Sequence, residues 1–204
     1  MRRTLLASIA LVVFVSPLSA QGTWTAWDSP ALISPVVPAG FSLFVINPAG
    51  GDLGALGTLR HAAGPVGLGY RASISDLTDT TEIAISAGVD VSGMLARGVE
   101  GSEIDVMWWA GGGIGIGTET TFSAPLGIIL GWSGSDGGVI LSPYAGGHVV
   151  LDVSSDANDN VALRGVFDMG LDLVLTSGWM LRVGASLGDR EALALGIKIP
   201  GGGG

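Results

Sequence analysis

From about residue 64 onward, apolar residues recur at every second position, and this period of two is the tightest constraint the sequence places on its fold. In GPVGLGYRASIS, Val66, Leu68, Tyr70, Ala72 and Ile74 share one parity, and Gly67, Gly69, Arg71, Ser73 and Ser75 the other. A helix would scatter both sets around its axis, whereas a strand puts them on opposite faces. The same separation recurs through segments starting near Glu82, Glu103, Phe122, Val139, Val161, Trp179 and Leu193. Two weaker strands, Phe41–Ile46 and Gly54–His61, precede these, giving about ten strands, or eight without that pair. The connections are short and turn-like, as in Gly134-Ser135-Asp136-Gly137 and Thr176-Ser177-Gly178. Composition agrees: 35 of 204 residues are Gly, and each Gly costs roughly 1 kcal/mol in a helix interior. No triplet glycine period exists, so collagen is excluded. With no Cys, disulfide scaffolds, thiolate metal sites and thiol nucleophiles are excluded too.

Residues 1–20 have the three-part form of a secretory signal peptide. Arg2 and Arg3 lead, Leu5–Val15 is apolar, and Leu18-Ser19-Ala20 offers a small-residue cleavage site. Residues 21–39 read as an irregular lead-in, 40–200 as one β-barrel domain and 201–204 as a Gly tail. Residues 1–20 hold two arginines and no acid, so cleavage moves the net charge from −9 to −11. An exported acidic chain is a poor nucleic-acid ligand.

Alternation alone does not say which face is inside. A soluble barrel buries its apolar face; a membrane barrel turns it to lipid and fills the lumen with small or charged residues. Three features favour the second arrangement. The strands reach the ~9–11 residues a tilted strand needs to cross a bilayer. The polar face is mostly Gly, Ser and Ala with scattered charges, and Lys198 is the single lysine of the chain. Trp108, Trp132, Phe122, Tyr70 and Trp179 sit near strand ends, where an interfacial girdle belongs. In this architecture the chain resembles the small outer-membrane β-barrel proteins of Gram-negative bacteria, over roughly residues 40–199. Its last strand closes on Ile197-Lys198-Ile199-Pro200 rather than on the aromatic residue common in that family.

The resemblance implies an all-β, antiparallel, up-and-down transmembrane barrel. Its partners would be outer-membrane lipid and the barrel-assembly machinery. It would act as a monomer with a structural role or minor permeability, without cofactor or metal and without enzymatic activity. The alternative is a secreted or periplasmic soluble barrel that holds a small apolar ligand inside.

Parity assigns a set of charges to the lumen: Arg71, Glu82, Asp90, Glu103, Asp105, His148, Asp152, Arg164, Asp168, Asp172 and Arg182. The interior of so small a barrel is largely filled by side chains, so these charges must pair with one another. A salt-bridge network around Arg71, Arg164 and Arg182 is the expectation. The set is net acidic, so any conduction should prefer cations. Ser142, His148 and Asp152 share parity and invite a hydrolytic-triad reading, but residues six and four apart on a strand are separated by roughly 20 and 13 Å. His148 is therefore read as a lumen histidine bonded to a neighbouring carboxylate.

Ser154–Asn160 resembles the start of a calcium loop but carries Val161 and Phe167 where that loop needs Gly and Glu. The glycine run Gly111–Gly117 matches no phosphate-binding motif and is read as room for another side chain crossing the lumen. The turns near 47–53, 76–81, 117–120, 154–160 and 189–190 are expected at one mouth as an acidic rim, with Arg190 its only basic residue.

Overall fold

The computed structural model describes residues 26–35, 39–48, 50–63, 66–77, 82–98, 103–155 and 161–200. The segment read as a signal peptide, the Gly tail and most of the calcium-like loop lie outside them. The strands are β1 (Gly40–Asn47), β2 (Gly51–Ala63), β3 (Val66–Leu77), β4 (Ile83–Ala96), β5 (Asp105–Ile116), β6 (Thr120–Gly131), β7 (Gly134–Asp136), β8 (Val139–Ser154), β9 (Val161–Val174), β10 (Met180–Gly188) and β11 (Ala192–Lys198). Every pairing is antiparallel between sequence neighbours, except that β1 pairs with β11 and β6 with β8. β7 is a three-residue addition to the end of β8. The other ten strands form a closed up-and-down barrel with no free edge, including the two weaker N-terminal strands.

Because the number of wall strands is even, the start of β1 and the finish of β11 lie at one end, here the terminal end. The turns after β1, β3, β5, β8 and β10 lie at the opposite, far end. The wall's parity is inside-out by soluble standards. Leu163 is 71% exposed and Val161 63%, while Asp90, Asp152, Asp168 and Asp172 are each 1% exposed. Large apolar side chains stand outward on every wall strand. A soluble monomer rarely exposes an apolar patch beyond a few hundred Å², and here the apolar band circles the barrel. Tyr70, Trp132 and Trp179 all face outward near the terminal end, and Phe122 does so near the far end.

The irregular lead-in, for which the sequence offered no position, has its residues 26–34 buried inside the lumen. Asp28 meets Arg190, in the β10–β11 turn at the far end, and Pro35 lies against Gly131 at the terminal end. Between Asp28 and Pro35 the segment thus runs the height of the barrel. It completes two apolar clusters with the wall. One joins Ala26 and Leu32 to Phe44, Ile46, Leu56 and Ala194; the other joins Ala31 and Ile33 to Met107, Trp109, Ile129 and Tyr144.

Glycines make the room. The Trp27 indole lies where side chains at Gly88 and Gly113 would stand, and within reach of one at Gly111, so the glycine run of β5 does accommodate a side chain crossing the lumen. Gly112, one residue away on the opposite face, has open space around it. Gly88→Ala should therefore destabilise the protein by about 1–3 kcal/mol through overpacking, while Gly112→Ala should leave stability nearly unchanged. Urea unfolding in detergent measures both. Adding Trp27→Ala to Gly88→Ala should remove most of the clash penalty, as a double-mutant cycle would read it.

Candidate functional site: the occupied lumen

A chain segment inside a barrel has no strand partner for its backbone, and buried peptide groups left unpaired are costly. The wall charges meet this need. Arg71 donates from Nε to Asp90 Oδ2 at 2.8 Å and from Nη1 to the Trp27 carbonyl at 3.2 Å, and its Nη2 donates to the Ala31 carbonyl. Arg182 bonds both carboxylate oxygens of Asp172 and donates to the Leu32 carbonyl. Asp168 accepts from the Ala31 N–H at 3.1 Å, and Ser34 Oγ donates to Asp172 at 2.7 Å. Leu32 has a φ of 49°, a left-handed conformation costing a non-Gly residue roughly 1–2 kcal/mol. Its bond to Arg182 and its contact over Gly184 hold it there.

A third arginine closes the far mouth. Arg190 bonds Asp28 and Asp152 and reaches Ser123 Oγ at 3.2 Å. Burial would lower the pKa of this guanidinium, but the two carboxylates outweigh burial and hold it above its ordinary value. Arg164 shares Asp152 at 2.9 Å. Arg60 and Arg71 both bond Asp90. Arg71 and Arg182 also cap the rings of Trp109 and Tyr144, at 5.8 and 5.6 Å from the centroids, a geometry that favours a desolvated cation.

Of the expected lumen set, Arg71, Asp90, His148, Asp152, Asp168, Asp172 and Arg182 are buried, and Arg164 is half-buried in its pair with Asp152. Three expectations are corrected. Glu82 and Glu103 are exposed: they lie at the mouths just before β4 and β5 begin at Ile83 and Asp105, where solvent is within reach of the side chain. Asp105 sits half-buried at the mouth and accepts from the Gly98 N–H at 3.2 Å. Arg190 is not a rim residue: its turn folds inward to the carboxylates.

Five buried aspartates, Asp28 included, face the buried cations Arg71, Arg182, Arg190 and Lys198, with Arg60 and Arg164 half-buried on the basic side and Asp105 and Glu119 on the acidic side. The described interior is therefore close to charge balance. The apolar parity, which a soluble barrel would need inside to hold an apolar ligand, faces outward.

Ser142, His148 and Asp152 are not joined. His148 Nδ1–H donates to Asp168 Oδ2 at 2.7 Å, Asp168 Oδ1 also accepts from Ser186 Oγ at 2.7 Å, and Asp152 serves Ser123 and the arginines. His148 Nε2, Ser142 Oγ, Tyr144 Oη, Trp27 Nε1 and Trp109 Nε1 are buried without a protein partner. They lie on the wall and on the lumenal segment, a pattern that suits enclosed water. No group of three or more His, Cys, Asp or Glu among the described residues could hold a metal ion.

The sequence reading missed Asp28, Arg60, Trp109 and Arg190. Trp109 shares the parity of Asp105 and Gly111, which was its available signal. No protein-family model matches this chain, and no curated protein matches its sequence.

Breaking a buried pair leaves an uncompensated charge, typically a loss of 3–5 kcal/mol. Arg182→Met should therefore destabilise the protein by about that much, as read by denaturant unfolding. It should also expose the 26–35 segment to proteolysis. Adding Asp172→Asn should recover part of the loss, because the stranded carboxylate is gone.

Proposed function

We propose that this chain is an outer-membrane β-barrel protein of a Gram-negative cell envelope, with a structural role and a lumen closed by its own N-terminal segment. The observation that carries the reading is the pairing of an apolar outer band with a polar interior filled by residues 26–34. A bilayer is the solvent that such a wall suits, and irregular backbone at membrane depth is tolerated only where protein encloses it. The outward Tyr70, Trp132 and Trp179 near the terminal end match an interfacial belt. In this reading the signal peptide directs export, the barrel-assembly machinery inserts the chain as a monomer, and the terminal end faces the periplasm. The filled lumen supports a barrel that conducts little or nothing.

Three measurements test it. The membrane-extracted protein should show heat-modifiable gel mobility; a soluble, detergent-independent monomer in the periplasm would overturn the membrane assignment. Ile128→Lys and Leu126→Lys, both on the outer face and away from the strand ends, should disfavour insertion by ~2–4 kcal/mol, the range for the bilayer midplane, whereas on a soluble barrel the same exposed positions would tolerate lysine. Planar-bilayer recording should find the intact protein nearly silent, with conductance appearing when residues 21–35 are deleted. Steady conductance by the intact protein would contradict the closed lumen.

A further inference from the structure

At the terminal end a cavity of about 260 Å³ opens between the lumenal segment and β2–β5. Its lining differs in charge from the rest of the molecule. The chain carries a net −9, yet no carboxylate is among the described residues that line this cavity, while Arg60 and Arg97 both do. Arg60 and Arg71 share the single carboxylate of Asp90, so that trio keeps one uncompensated positive charge. Arg97 is exposed and makes no hydrogen bond or ion pair among the described residues. Ser92 Oγ accepts from Arg60 Nη1 at 2.9 Å, which leaves its own O–H free to donate into the cavity. His61 also contributes to the lining, but its ring packs edge-on against Tyr70. The remaining wall is apolar, supplied chiefly by Ile33, Met94 and Met107.

We infer that this cavity binds a small anionic amphiphile, a phosphate monoester with a short apolar chain. Two arginines and the Ser92 hydroxyl line the same cavity, and arginine is the residue suited to several phosphate oxygens at once. The chain would lie along Ile33, Met94 and Met107, flexible methionines that adapt to an irregular apolar guest. Ile33, Ser34 and Pro35 form part of the lining, so the ligand would also touch the segment that closes the lumen. The inference stands on the cavity and does not depend on the outer-membrane reading.

The test uses the whole mature chain folded in a nonionic detergent and titrated by calorimetry with hexyl phosphate, hexanol and inorganic phosphate. Hexyl phosphate should bind saturably at one site, with hexanol and inorganic phosphate each at least tenfold weaker. Arg97→Gln, at an exposed side chain without structural bonds, should weaken hexyl phosphate at least tenfold. Gly67→Leu, whose side chain would stand on the lumenal parity beside Ser92 Oγ and Arg60 Nη1, should block binding while heat-modifiable mobility persists. Adding dihexanoyl phosphatidic acid separates the sources of the phosphate: binding of both esters assigns a lipid headgroup, and binding of hexyl phosphate alone a soluble amphiphile. Equal binding of hexanol would mean partition into detergent and overturn the site. Unchanged binding by Arg97→Gln, or inorganic phosphate binding as tightly as its hexyl ester, would overturn it as well.

Discussion

Three arginines, Arg71, Arg182 and Arg190, each reach in two directions, and the interior depends on that double reach. One side of each guanidinium holds a wall carboxylate, Asp90, Asp172 or Asp152. The other side holds the lumenal segment, through the Trp27 and Ala31 carbonyls, the Leu32 carbonyl or the Asp28 side chain. A guanidinium suits this work because its donors fan out in a rigid plane and it stays charged when buried. Without the segment, each arginine would keep its wall partner but point its remaining donors into an empty lumen. Without the arginines, an irregular stretch of backbone would be buried with unpaired carbonyls. The charges and the segment therefore stabilise each other.

That mutual requirement explains the inside-out wall. With the polar parity committed to the interior, the apolar parity faces outward by geometry, since successive side chains of a strand take opposite faces. The interior cannot be charged alone, because unpaired charges at low dielectric are costly. Its acids and bases accordingly come close to balance, and its remaining volume is filled by Trp27, Trp109, Tyr144 and two apolar clusters. Glycine sets the clearances. Trp27 fits because Gly88, Gly111 and Gly113 present no side chain, and Tyr144 fits over Gly170 for the same reason.

Much of the wall was legible in the sequence because a period of two is a local property. The burial of Asp90, Asp152, Asp168 and Asp172 follows from the parity they share with neighbouring Gly and Ser. The same rule carried too far at Glu82 and Glu103, which lie just before β4 and β5 begin and are exposed. It also passed over Arg60, on a strand with weak alternation, and Trp109, whose bulk hides its place on the glycine parity. Asp28 and Arg190 had no local signal at all, because their partners lie 162 positions apart in the chain.

The sequence by itself determined the strands, their antiparallel order and the two faces of the wall, since each depends on alternation within a strand and on short turns between neighbours. Tertiary structure decided what lies inside. Closure through β6 and β8 creates a lumen, and only then do the aspartates and arginines of distant strands point into one space. The lead-in between Ala26 and Pro35 has neither period nor strong propensity, so nothing local marks it as buried. Its position is fixed by the hydrogen-bond partners and the glycine clearances that the closed wall supplies, and those exist only once the barrel has formed.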